Sequence, residues 1–275
     1  MADRPGEATP EAIENESGVS PRIEGLRSLE LTPRRVEVRR LAAAMRDVIE
    51  HLVSTTATTE ELSSAADDLE VLAGALRDLP RGQTYEGFAE AANAGEAIAN
   101  RAGAAAGSAG RAPLGDDDPE RYAFFDHSPF IGLANPLSPP MSLDYSADRV
   151  VGRVTFGSAY EGPPGCVHGG YIAGAFDELL GATQSLSGHP GMTARLTVNY
   201  RSPTPLHADL RMRGELTGVE GRKILTKGWL YAPEPDGSER LCAEADGLFV
   251  AIDFGRFATL KNEREQAERS RLEDR

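Results

Sequence analysis

Residues 161–180 read Glu-Gly-Pro-Pro-Gly-Cys-Val-His-Gly-Gly-Tyr-Ile-Ala-Gly-Ala-Phe-Asp-Glu-Leu-Leu, a Pro/Gly loop running directly into an apolar helix. Pro163 and Pro164 fix φ and remove two donors, so the loop is stiff. Gly169 and Gly170 fall where the helix begins and allow another molecule close to the backbone. The first amides of a helix have no internal acceptor and carry the positive end of its dipole. They form a donor site for a carbonyl oxygen that is gaining charge. Ile172, Ala175, Phe176, Leu179 and Leu180 mark the core face of this helix, expected over about 168–186. Asp177 interrupts it. An ionised carboxylate there is costly unless it is paired or faces a cavity. Glu178 lies about 100° further round, so the two carboxylates do not readily serve one centre; a solvated or capping role suits Glu178 better.

Alternating apolar positions predict strands at about 142–147, 149–156, 192–202, 207–218, 222–233 and 240–253. The connections at 203–205, 218–221 and 233–237 are short, which implies an antiparallel meander. Such a sheet has one face to cover, and the single apolar helix covers it. The fold class is therefore α+β. Only Cys166 and Cys242 are present, without metal-type spacing, so no metal site and a reducing cytoplasm are expected. No apolar run approaches the ~20 residues of a membrane span, and the N-terminal residues lack a signal-peptide pattern. A net charge of −14 argues against nucleic-acid binding. The preference for Arg over Lys, with abundant Ala, points to a GC-rich bacterial genome.

The run Gly-Pro-Pro-Gly-Cys-Val-His-Gly-Gly, with Asp177 nine positions after His168, resembles the hotdog-fold acyl-CoA thioesterases of the phenylacetate-degradation and thioesterase-superfamily-member type. Residues 193–206, Thr-Ala-Arg-Leu-Thr-Val-Asn-Tyr-Arg-Ser-Pro-Thr-Pro-Leu, resemble that family's next strand; the likeness spans roughly 125–255. It implies a hotdog fold, an antiparallel sheet wrapped around one central helix. It also implies hydrolysis of an acyl-CoA thioester, with CoA as part of the substrate and no separate cofactor, and a role in fatty acid metabolism. By this resemblance Asp177 activates water or attacks the thioester itself, and both routes stay open. Thr193 orients the water, and His168 supports the loop, a general base being the weaker reading. Asn199, Arg201 and Tyr171 are candidates for substrate contact, with cross-strand pairing, surface charge and packing as their ordinary alternatives. Arg222 shares the phosphate-binding reading of Arg201.

Gly170 and Asp177 share a helix face but lie ~10.5 Å apart along the axis, too far to serve one thioester. The expectation is a homodimer in which each site takes Gly169 or Gly170 from one subunit and Asp177 from the other; pairing into a tetramer is left open. Hydratase chemistry is disfavoured because the chain has the Gly-Gly-x₆-Asp form. A non-catalytic acyl-CoA sensor with a helical regulatory extension is the alternative from another class.

Five regions are expected: a disordered tail over 1–30, a helical extension over 31–110, a linker over 111–120, the hotdog domain over 121–256 and a charged tail over 257–275. Within the extension, Val38, Leu41, Met45, Val48 and Leu52 define one amphipathic helix, about 34–54. Leu62, Ala66, Leu69, Leu72 and Leu76 define a second, capped by Thr58 or Thr59. An Ala-rich third helix over 84–107 is weaker. The aromatic and proline-rich stretch 121–141 suits neither helix nor strand. It reads equally as a wall of the acyl pocket or as a cover for a sheet edge.

Overall fold

A computed structural model describes residues 33–79, 126–139, 141–145, 148–189 and 191–251. The expected N-terminal tail, third helix, linker and C-terminal tail lie outside the described residues. Helix α1 spans Pro33–Ser54 and α2 spans Thr59–Asp78. They are followed by β1 (Ser142–Tyr145), β2 (Arg149–Val154), α3 (Gly169–Gln184), β3 (Gly191–Tyr200), β4 (Leu210–Glu220), β5 (Lys223–Pro233) and β6 (Glu239–Ala251).

The strands form one antiparallel six-stranded sheet in the order β1-β2-β4-β5-β6-β3. This corrects the expected meander: β1-β2 and β4-β5-β6 follow one another, but β3 is left out of sequence and lies on the edge beside β6. The reason is α3. It packs across β2 to β6 and carries the chain over the sheet face before β3 begins. At 16 residues it is ~24 Å long, comparable to the width of six strands spaced ~4.8 Å apart.

The seam between helix and sheet is apolar. Phe176, Leu179 and Leu180 from α3 are fully buried with Leu210, Met212, Ile224, Leu230 and Phe249 from the strands. Each such side chain contributes roughly 1.5–3 kcal/mol. β5 shows the period of two clearly, with Ile224, Thr226, Gly228, Leu230 and Ala232 inward. A side chain at Gly228 would press on Phe176 and Leu180, so the helix seats against bare backbone there. β3 differs, because most of its residues are exposed or half-exposed.

The segment 126–139 is a series of turns, in keeping with its proline content. Its Phe130 and Ile131 pack on the core, and α1 lies outside it.

Candidate active site

The loop before α3 is pinned on both sides. The Gly162 amide donates to the Cys166 carbonyl (2.9 Å), Cys166 to that of Pro163 (2.9 Å), and Val167 to that of Thr204 (2.9 Å). Gly165 takes φ of 73°, a conformation glycine adopts without cost, and its amide donates to the Glu161 carboxylate at 2.6 Å. The His168 amide donates to the Tyr160 carbonyl at 2.8 Å, which sets the entry of the helix.

His168 is the N-cap of α3, and its Nδ1 accepts from the Gly170 amide at 3.0 Å. The imidazole therefore holds the helix start and uses the Gly170 donor. The Gly169 amide, first in the helix, has no intrahelical acceptor. Its carbonyl is fixed by the Tyr200 hydroxyl, which donates at 2.7 Å. Of the two glycines, Gly169 is the one whose N–H is not taken up by His168.

Two turns along the helix, Asp177 is exposed, and its Oδ1 accepts from the Thr193 hydroxyl of β3 at 2.9 Å. Thr193 sits where the β3–β6 register slips between Thr193 and Arg195, and such irregularities re-aim side chains. Thus β3 brings together two residues sixteen positions apart in sequence. Gly169 and Asp177, eight residues apart on one helix, stay ~12 Å apart along its axis.

Tyr171 is exposed and meets Tyr160 edge-on at 4.8 Å between ring centres; His168 lies 6.3 Å from the same ring. Burial, with the Tyr171 ring adding to it, pushes the Tyr160 hydroxyl up to about 12. It stays protonated and donates to the Leu137 carbonyl at 3.1 Å. Asn199 stands opposite Glu244 in the β3–β6 register. Arg201 is paired with Glu244 and holds that carboxyl below its ordinary value. Arg222 donates to the Ala251 carbonyl at 3.0 Å. Both guanidiniums already have protein acceptors.

Three contacts were not legible in the residue pattern. Tyr200 on Gly169 needs the β3 register. Tyr160 under Tyr171 needs the loop path. Glu178 accepts from the Ser128 hydroxyl at 3.1 Å, so it ties segment 126–139 to α3 instead of standing solvated. Among the described residues, no group of three or more His, Cys, Asp or Glu converges as metal ligands would, and no helix is long and apolar enough to cross a membrane.

A profile of the thioesterase superfamily matches residues 164–235, the stretch from the Pro/Gly loop through β5. A crystal structure of a thioesterase superfamily protein is 32% identical, covers 78% of this chain and 90% of its own, and superposes with a TM-score of 0.60. The chain belongs to the thioesterase superfamily. Within that superfamily it is similar to acyl-coenzyme A thioesterase THEM4 of Xenopus laevis, 35% identical over 35% of this chain and 42% of the relative. THEM4 of Mus musculus is 33% identical over 38% and 44%. The chain thus matches less than half the length of these curated relatives. The superfamily resemblance seen in 161–180 and 193–206 is upheld. The profile does not reach α1, α2 or segment 126–139.

Proposed function

We propose that the protein hydrolyses an acyl-CoA thioester to a free acid and CoA. The observation that carries this reading is the Thr193–Asp177 hydrogen bond on an exposed face of α3. Thr193 occupies Oδ1 and leaves Oδ2 to receive a proton. A water donating one hydrogen to Oδ2 and the other to the Thr193 oxygen is held at two points. It attacks the thioester carbon while Asp177 takes its proton as general base. The carbonyl oxygen becomes an oxyanion facing the Gly169 amide at the positive end of a helix. Collapse breaks the carbon–sulfur bond, and the thiolate of CoA leaves and takes up a proton. His168 keeps the helix start in place and exchanges no proton in this scheme.

Because Gly169 and Asp177 of one helix stand too far apart, the site is shared between two subunits with antiparallel α3 helices. The exposed edge strand β3 supports this arrangement, since an uncovered edge is a template for pairing with a second chain. The similarity to THEM4 supports the choice of an acyl-CoA.

The test is thiol release from a panel of short, medium, long and aromatic acyl-CoA esters by wild type and Asp177→Ala. Turnover should fall by roughly 10²–10⁴-fold in the variant, with its circular dichroism unchanged. Equal turnover would remove Asp177 from the mechanism. Binding without turnover by wild type would favour a sensor. A fully active monomer would overturn the shared site.

A further inference from the structure

The stretch of α3 between its N-terminus and Asp177 is not bare. Gly170, Gly174 and Asp177 follow one another at four and three residues and share one stripe. The middle of that stripe carries the ring of Phe130, and a methyl group built at Gly174 would overlap it. Phe130 is half-buried, with part of its ring on the core and part uncovered.

Phe130 is also held from several directions. The Ser128 hydroxyl oxygen accepts from the Phe130 amide at 3.2 Å and the Ile131 amide at 3.3 Å. The same hydroxyl donates to Glu178, the neighbour of Asp177. The Phe130 carbonyl accepts from the Met141 amide at 3.1 Å. Behind this turn, the Asp126 carboxylate accepts from Arg35 at 2.9 Å and from Arg39 at 2.6 Å, both on α1. Asp126 is 1% exposed and Arg35 7%. Helix α1 thereby backs the turn that presents Phe130.

We propose that Phe130 is a specificity-determining stop for the acyl chain, held on the α3 stripe at Gly174 by the Ser128–Glu178 bond and by the α1 clamp on Asp126, and that it restricts the protein to short or compact acyl groups. This rests on the hydrolase reading above. A thioester carbonyl beside Asp177 sends its acyl chain either outward into water or inward along the helix face. Only the inward route removes apolar surface from water. On that route the chain meets the Phe130 ring ~4.5 Å along the axis, at the level of Gly174.

Two readouts on the full chain separate this proposal from the hydrolase reading. One is calorimetric binding of S-alkyl-CoA thioethers of increasing length, which bind without turnover. The other is thiol release from the matching acyl-CoA esters. In wild type, both should drop once the chain exceeds a short length. In Phe130→Ala the ratio of long-chain to short-chain affinity should rise at least about ten-fold, the scale of discrimination set by pocket methylenes. Phe130→Leu, which keeps an apolar side chain for folding, should move the ratio in the same direction by less. Asp126→Asn should raise it too, through KM for long chains, because it loosens the turn.

An unchanged length profile in folded Phe130→Ala and Phe130→Leu overturns the proposal and leaves the hydrolase reading standing. So does a wild type that already prefers long chains. A length step that moves with Phe130 in thioether binding, with no thiol released, upholds the stop and overturns the hydrolase reading. A wild type that binds no thioether and releases no thiol from any ester overturns both.

Discussion

Helices α1 and α2 look alike as sequence and behave differently in the structure. Each is about twenty residues long, with apolar side chains recurring at three and four. α1 lies against the hotdog domain, whereas no residue of α2 is buried among the described residues. The apolar stripes alone do not make the difference. On α1 the predicted stripe is only partly covered: Val38, Met45 and Val48 are half-buried, while Leu41 and Leu52 stay exposed. The docked face instead runs through Arg35, Arg39, Ala42, Arg46 and Glu50. The two N-terminal arginines grip Asp126. Arg46 donates to the carbonyls of Leu133 (3.2 Å) and Asn135 (2.9 Å), and Glu50 accepts from the Ser158 amide at 3.0 Å. Among the described residues α2 shows no such set of contacts, and its Leu72 and Leu76 are exposed. An amphipathic period reports that a segment is helical; directional polar groups decided which helix found a seat.

The largest test of this contrast is Asp126→Ala. Removing one partner of a buried ion pair costs about 3–5 kcal/mol, and a urea titration should show a loss of that size. An unchanged midpoint would mean that the clamp does not hold α1.

Smaller, but more direct, is a matched pair of substitutions. Ala42 of α1 is 4% exposed, so Ala42→Leu should overpack the seam and cost roughly 1–3 kcal/mol. Ala66→Leu on the exposed α2 should stay within about 0.5 kcal/mol. Equal effects would erase the distinction between the two helices.

Thr58→Ala should act on α2 alone. It removes a capping box in which the Thr58 hydroxyl accepts from the Glu61 amide at 3.3 Å and Glu61 accepts from the Thr58 amide at 2.8 Å. The cost is about 1 kcal/mol of helix stability, read as faster amide exchange in 59–65 with exchange in α1 unchanged.

The smallest effect is one of pH. Partial burial raises the Glu50 carboxyl, but its hydrogen bonds with the Ser158 side chain and with the Ser158 and Ala159 backbone outweigh this and leave it below its ordinary 4.5. The folded state therefore binds fewer protons than the unfolded state. This contribution is complete above about pH 4.5 and is lost as pH falls through the lower folded value. Amide exchange near Glu50 should quicken there in wild type, and Glu50→Gln should remove that step. Persistence of the step in Glu50→Gln would assign it to another carboxylate.

Much of this architecture was legible in the residues. The Pro/Gly loop and the apolar run after it specify α3, because no other period accommodates Ile172, Phe176, Leu179 and Leu180 on one face. The strand spans follow from alternation and turn residues, both of which are local. The candidate site was legible in part. Asp177 stands out as a carboxylate within an apolar helix, and Gly169 as a helix-start amide. The bond between Asp177 and Thr193 depends on the β3 register. That Gly170 gives its amide to His168 depends on a rotamer. The role of Glu178 depends on Ser128, fifty positions earlier.

By itself, the sequence determined the helices α1 to α3, the approximate spans of the strands, the superfamily and the residues with chemical potential. Backbone propensity, capping and apolar period act within a few residues, and they are written in the chain directly. Only the tertiary structure decided the strand order, the face on which α1 docks and the place of Phe130 on Gly174. These rest on contacts between segments far apart in sequence. There, shape and hydrogen-bond direction select one partner among many that composition leaves equivalent.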